Sequence, residues 1–170
     1  MTKLMLDAVG LKHLPRAGWS RAGIEDAESV AAHAWGVGWL VILLADGGVD
    51  RAKALELALV HDLPEIRTGD ITPHDGISRG RKMEMERTAA EQLFADQPRL
   101  LALWEEYAAG SSPEARFVKD CDKLDMAIQA VRYADETGAD TQEFIESAKR
   151  TIQTNTVRRA FEGFMKKARR

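Results

Sequence analysis

Three observations place this 170-residue chain in the all-α class. No stretch alternates apolar and polar positions around β-branched residues, the pattern of a half-buried strand. The segment 114–136 puts Phe117, Cys121, Leu124, Ile128 and Val131 at spacings of 4, 3, 4 and 3, one stripe along a long helix. The runs Val30–Ala45 and Ala52–Val60 are apolar on most sides, as buried helices are. The length suits one domain with a full core, so residues 1–170 are expected to form a single helical bundle.

The elements follow in order. Leu4 to Leu14 forms a short helix ending at Pro15, and Arg16–Gly23, with its glycines and no periodicity, is a loop. Ser29 or Glu28 opens a buried central helix that runs through His33 to Ala45 and stops at Asp46-Gly47-Gly48. Asp50 caps the helix that delivers His61 and Asp62. Pro64 kinks or ends it, because proline removes a backbone donor and disfavours helical geometry at Leu63. Thr68–Gly80, rich in Gly, Asp and Pro, is a loop. Helices follow at about 81–96 and 98–109, then the long helix, then a final helix over about 141–167. That last helix turns Phe144, Ile145, Ala148, Ile152, Phe161 and Phe164 inward.

Apolar content of 45% and charged content of 30% are ordinary for a folded protein and argue against disorder. A single cysteine permits neither a disulfide framework nor a thiolate metal cluster within one chain, and it suits a reducing cytoplasm. Met1–Asp7 does not read as a secretory signal. The longest apolar run, Val30–Ala45, has 16 residues and contains His33, short of a membrane span. Net charge is −3, but Lys149–Arg170 holds eight Lys/Arg against Glu162 alone, leaving −10 on the rest. The basic end reads as a solvated terminal helix whose late cations suit its dipole. Without aromatic interleaving or a known motif, nucleic acid is not the expected partner.

The chemistry centres on His61-Asp62-Leu63-Pro64-Glu65-Ile66-Arg67-Thr68-Gly69-Asp70. Burying an imidazole beside a carboxylate is costly unless something compensates. Neighbours on a helix point about 100° apart and cannot easily satisfy each other. A divalent cation between them would satisfy both. Glu65, four residues past His61, lies on the same face one turn later, and Asp70 falls near the mouth of the helix. His33, deep in the most apolar helix, also needs a partner, either a backbone carbonyl or a metal. A fourth ligand must come from Asp120, Asp122 or Asp125. Asp120, with Arg116 and Lys123 around it, has the setting of an exposed ion-pair residue, and Asp125 is intermediate. Asp122, between Val118 and Met126 beside the apolar stripe, is the choice.

Together Glu28-Ser29-Val30-x-x-His33, His61-Asp62-x-x-Glu65-x-x-x-Gly69-Asp70 and Asp122 resemble the HD-domain metal-dependent phosphohydrolases, specifically the 5′-deoxynucleotidase branch. The resemblance runs from about Leu11 to Arg132. It implies an HD-type helical fold, one divalent ion on His33, His61, Asp62 and Asp122, and a nucleoside 5′-monophosphate substrate. It further implies that Glu65 and Asp70 handle the attacking water and the substrate. In the Pro15–Trp19 segment it implies that Arg16 meets the phosphate and Trp19 packs near the sugar.

Residue chemistry agrees with this. Two imidazoles and two carboxylates suit Mn, Co, Fe, Zn or Mg. Such an ion acidifies water and polarises a phosphoryl group. Arg16 offers a bidentate fork, while Lys12 and Arg21 either assist or are surface charges. Trp19 either anchors its loop or packs on a sugar. His13 and His74 are expected to be exposed. A rival HD hydrolase acting on a nucleoside triphosphate or an alarmone should need more cations than Arg16, Lys12 and Arg21. A catalytically silent binding protein would have no use for Glu65 and Asp70. The reading is a cytoplasmic phosphomonoesterase of nucleoside 5′-monophosphates, with deoxy ones preferred, and a homodimer is among its expected associations.

Overall fold

The computed structural model describes residues 2–168; Met1, Arg169 and Arg170, the last two part of the basic C-terminal end, lie outside the described residues. Ten α-helices form among the described residues. They are α1 (Thr2–Val9), α2 (Ala17–Arg21), α3 (Val30–Leu44), α4 (Arg51–Val60), α5 (Glu65–Thr68), α6 (Arg79–Leu93), α7 (Pro98–Ala109), α8 (Pro113–Thr137), α9 (Gln142–Thr151) and α10 (Asn155–Ala168). No strand forms among them, and a lone antiparallel bridge joins Pro15 to Ser29. Its backbone bonds run from Val30 N–H to the Leu14 carbonyl (2.8 Å) and from Arg16 N–H to the Glu28 carbonyl (3.0 Å). The all-α expectation is met.

Caps fix several boundaries where the sequence places them. The Ser29 hydroxyl accepts from Ala32 N–H, and the Asp50 carboxylate accepts from Ala52 and Lys53. α4 stops at Val60, so His61 and Asp62 lie in the turn before Pro64, and Glu65 opens α5. The long helix α8 packs on α3, α4, α7, α9 and α10 and is the spine of the molecule. Val118, Cys121 and Ala127 are fully buried on it, against Val37, Val41, Leu57 and Ile152 of a single hydrophobic cluster.

Other boundaries differ from expectation. The first helix gives way at Gly10, a poor helix former, to a tighter turn over Gly10–Lys12 and does not continue to Leu14. Arg16–Gly23 is not all loop: Ala17–Arg21 is helical because Asp70, 53 residues away, accepts from Ala17 N–H (2.8 Å) and caps it. α6 begins at Arg79, capped by the Ser78 hydroxyl, and ends at Leu93. The expected final helix is two helices. Asp120 accepts from the Gln153 (3.0 Å) and Thr154 (2.6 Å) amides and holds the chain open between α9 and α10. Asp120 is therefore a buried anchor and not an exposed ion-pair residue. Lastly, α3 is buried on one side only. Its other side leaves Trp35 (70% exposed), Trp39, Ile42 and Leu43 in the open, and Leu59 of the neighbouring α4 is exposed as well.

Candidate metal centre

Each buried imidazole has one nitrogen committed and one free. His33 Nδ1 lies 2.7 Å from Asp125 Oδ2, and His61 Nδ1 lies 2.7 Å from the Ala58 carbonyl. The acceptors fix both Nδ1 atoms as N–H donors, which turns the Nε2 atoms inward, each offering a lone pair when its ring is neutral. Gly36, one turn after His33, makes the first contact possible, because a Cβ there would overlap the Asp125 carboxylate. Asp125, weighed in the sequence as an alternative ligand, is thus the partner of His33.

The free atoms converge. His33 Nε2, His61 Nε2 and Asp62 Oδ2 are buried without hydrogen-bond partners, and the three lie within 4.8 Å of one another. His61 Nε2 and Asp62 Oδ2 approach to 3.0 Å, but not in hydrogen-bond geometry. Asp122 Oδ1 stands 3.3 Å from His33 Nε2, while its Oδ2 receives the Tyr107 hydroxyl (3.3 Å) and faces Lys123 Nζ (3.1 Å). Donor atoms about 2.0–2.2 Å from an ion sit roughly 3–4 Å apart, so the spacing and the mixed N/O set fit a divalent cation. His33, His61 and Asp62 could hold it, with Asp122 adjacent.

Electrostatics follow from burial. Burial and Arg16 oppose charge on His33, yet Asp122 and Asp125 outweigh them and raise its pKa to about 9. Burial would raise Asp62 and Asp122, but His61, His33 and Arg16 hold the first below the usual carboxylate range, and Lys123 and His33 hold down the second. Glu65 goes the other way: burial, then Asp62 and Asp70, push its carboxyl well above that range, and its Oε2 has no partner. Arg16 lies 3.8 Å from both Asp62 and Asp70, its charge secured by those carboxylates against the cost of burial.

Trp19 sits mainly in the core. It is 2% exposed, its indole N–H donates to Glu28 (2.9 Å), and its ring packs on Tyr133 and Phe144. Its loop-anchoring role is what the packing supports, although part of the ring reaches the adjoining cavity. Lys12 is exposed, Arg21 pairs with Asp75, and His13 and His74 are exposed as expected.

That cavity, of about 1000 Å³, opens beside Asp62, Glu65, Asp70, Asp122 and Arg16. It is also lined by Arg79, Lys82, Arg116, Lys119, Lys123 and Arg150, none of which the sequence reading assigned to the site. The cation count once held against longer phosphate substrates therefore does not stand. The signal was available for three of them, since Arg116, Lys119 and Lys123 share one helical stripe.

The chain belongs to the HD-domain family, whose profile, described as "HD domain", matches residues 8–161. Among curated relatives it is 41% identical over 132 residues to 5′-deoxynucleotidase hdd1 of Schizosaccharomyces pombe, covering 72% of this chain and 67% of that protein. It is 40% identical over 133 residues to 5′-deoxynucleotidase HDDC2 of Danio rerio, covering 75% and 66%. The matched part is about two thirds of those relatives' length. Two solved structures follow the fold almost throughout. A Pyrococcus horikoshii OT3 protein has a TM-score of 0.84 at 34% identity over 96% of this chain and 97% of that one. A conserved hypothetical protein from Pyrococcus furiosus has 0.82 at 30% over 99% of each.

Proposed function

We propose that this HD-domain protein is a metal-dependent phosphomonoesterase that converts deoxynucleoside 5′-monophosphates to nucleoside and phosphate. The observation that carries the reading is the convergence of three partnerless buried atoms, His33 Nε2, His61 Nε2 and Asp62 Oδ2, a few ångströms from Arg16. The names of the yeast and fish relatives, both 5′-deoxynucleotidases, agree with it.

His33, His61, Asp62 and Asp122 would hold the ion, which when bound supplies Lewis acidity to the phosphoryl group and makes water a stronger acid. Arg16, charged and held by two carboxylates, orients the phosphate and offsets its charge. Glu65, a buried carboxyl with a raised pKa, holds or releases a proton at the reacting phosphate. Asp70 keeps Arg16 and the start of α2 in register with that corner. On the sugar side stand the edge of Trp19 and the Phe144 ring against it. The indole N–H is committed to Glu28, so neither ring offers a donor to a 2′-hydroxyl. Burying that hydroxyl unpaired costs about 1–3 kcal/mol, or roughly 5- to 150-fold against ribonucleotides. The whole chain acts as one domain in a reducing cytoplasm, where its free, buried Cys121 stays reduced. A second copy covers the open face of α3.

The test is phosphate release from paired deoxy- and ribonucleoside monophosphates with Mn, Co, Fe, Zn or Mg supplied in turn. Deoxy substrates should be turned over with little regard to base. Equal kcat/KM for AMP and dAMP would overturn the sugar claim, and no release from any monophosphate would overturn the activity. Glu65→Gln should lower kcat about 10²–10⁴-fold at unchanged metal content. A fully metallated variant with near-native turnover would remove Glu65 from the chemistry.

A further inference from the structure

The cavity carries more positive charge than one phosphate at the metal corner uses. Arg116, Lys119 and Lys123 lie three and four residues apart, so α8 turns a basic stripe toward it, with Arg79 and Lys82 contributed by α6 and Arg150 by α9. The carboxylates along these walls are already engaged. Glu86 lies 3.4 Å from Lys82, Asp122 3.1 Å from Lys123 and Glu143 3.3 Å from His74, while Asp120 holds two backbone amides. Among the described residues, Arg79, Arg116, Lys119 and Arg150 have no carboxylate within ion-pair distance. Lys119 is the most constrained of them. It is partly buried, stands 4.4 Å from the Tyr107 ring centre, and is held below the ordinary lysine range because burial, Lys123 and Arg79 outweigh the opposing pull of Asp122 and Glu86. Crowded cations that face a cavity in excess of their paired carboxylates attract an anion. At about 1000 Å³ the cavity is at the upper end of small-molecule pockets, which leaves room beyond a nucleoside monophosphate.

We infer that this wall is a second phosphate subsite, so that a nucleotide with one phosphate at the metal corner and another against Lys119 and Arg79 binds in preference to a monophosphate. The inference rests on the metal corner taking the first phosphate. The second can be a 3′-phosphate or the further phosphate of a 5′-diphosphate, and the two are separable by experiment.

Wild type and the Lys119→Gln/Arg79→Gln double variant, with Mn²⁺ present, are compared on dAMP, deoxyadenosine 3′,5′-bisphosphate and dADP at low ionic strength. KM is taken from phosphate release, and a calorimetric Kd is taken for any ligand that releases none. At least one two-phosphate ligand should bind wild type about 10-fold or more tightly than dAMP, and the gain should shrink with added salt. The double variant should lose that gain and keep kcat/KM for dAMP within about 2-fold, and Lys119→Arg should retain the gain. The ligand with the larger gain locates the second phosphate. Equal affinities for all three ligands in wild type, or a gain that survives the double variant, would overturn the subsite. If no ligand releases phosphate, the phosphomonoesterase reading fails, and the calorimetric comparison still decides the subsite.

Discussion

His33 shows how much of a metal corner can depend on a residue that is not a ligand. Its Nδ1 proton is held by Asp125 across the space left by Gly36, and that bond aims Nε2 at His61 and Asp62. Gly36→Ala would push the carboxylate away and free the ring to rotate. Loss of such a partner typically weakens metal binding about 10–100-fold, so Gly36→Ala and Asp125→Ala should both do so in a chelator competition. Unchanged affinity in both variants would mean that Asp125 does not orient the ring. The same contacts predict a pH effect. His33 is raised from 6.5 to about 9, so its charged form stabilises the metal-free fold below pH 6.5, and that contribution is lost as pH rises through about 9. A divalent ion needs the neutral ring, so binding releases a proton and strengthens over the same interval. The Tm of chelator-treated protein should fall from pH 6.5 to 9, while the Tm gain on adding metal grows. At this scale the sequence was informative about His33, His61 and Asp62, which stand in local motifs beside helix termini. It also chose Asp122 over Asp125 from its apolar setting, but it did not reveal that Asp125 holds the other imidazole nitrogen, because spacing along α8 does not say which nitrogen each carboxylate meets.

Several helix ends set by local chemistry were legible, and two set by distant residues were not. Ser29, Asp50 and Pro64 act on their own neighbours, so α3, α4 and the turn at His61 could be read directly. The apolar spacing from Phe144 to Phe161 runs on without Gly or Pro, and only the polar Thr154-Asn155-Thr156 run hints at the break after Gln153. Asp120, 33 residues earlier, makes it. Asp70 likewise caps α2 from 53 residues away. Asp120→Ala would leave the Gln153 and Thr154 amides without their acceptor and should cost about 2–4 kcal/mol, read as a lower denaturant midpoint. Stability within 0.5 kcal/mol of wild type, roughly the effect of a neutral surface change, would show that water replaces the carboxylate at no cost.

Over the whole molecule, the least expected feature is the open apolar face of α3, where Trp35, Trp39, Ile42 and Leu43 stand exposed, as does Leu59 of α4. Sequence alone assigned that helix to the interior because it is apolar on most sides, and only the packed arrangement reveals which side lacks a neighbour. Large exposed apolar patches mark association surfaces. Light scattering should give twice the chain mass for wild type and the single-chain mass for Trp35→Asp/Trp39→Asp; a monomeric wild type rules the dimer out. The bridge between Pro15 and Ser29 has a different consequence. Because Leu14 is tied to Val30 and Arg16 to Glu28, the intervening arc starts and finishes at one fixed point. The reach of the arc is therefore uncoupled from the position of the arginine. A few residues inserted at the exposed Glu25-Asp26 tip, which does not line the cavity, should therefore leave Arg16 and the cavity wall in place.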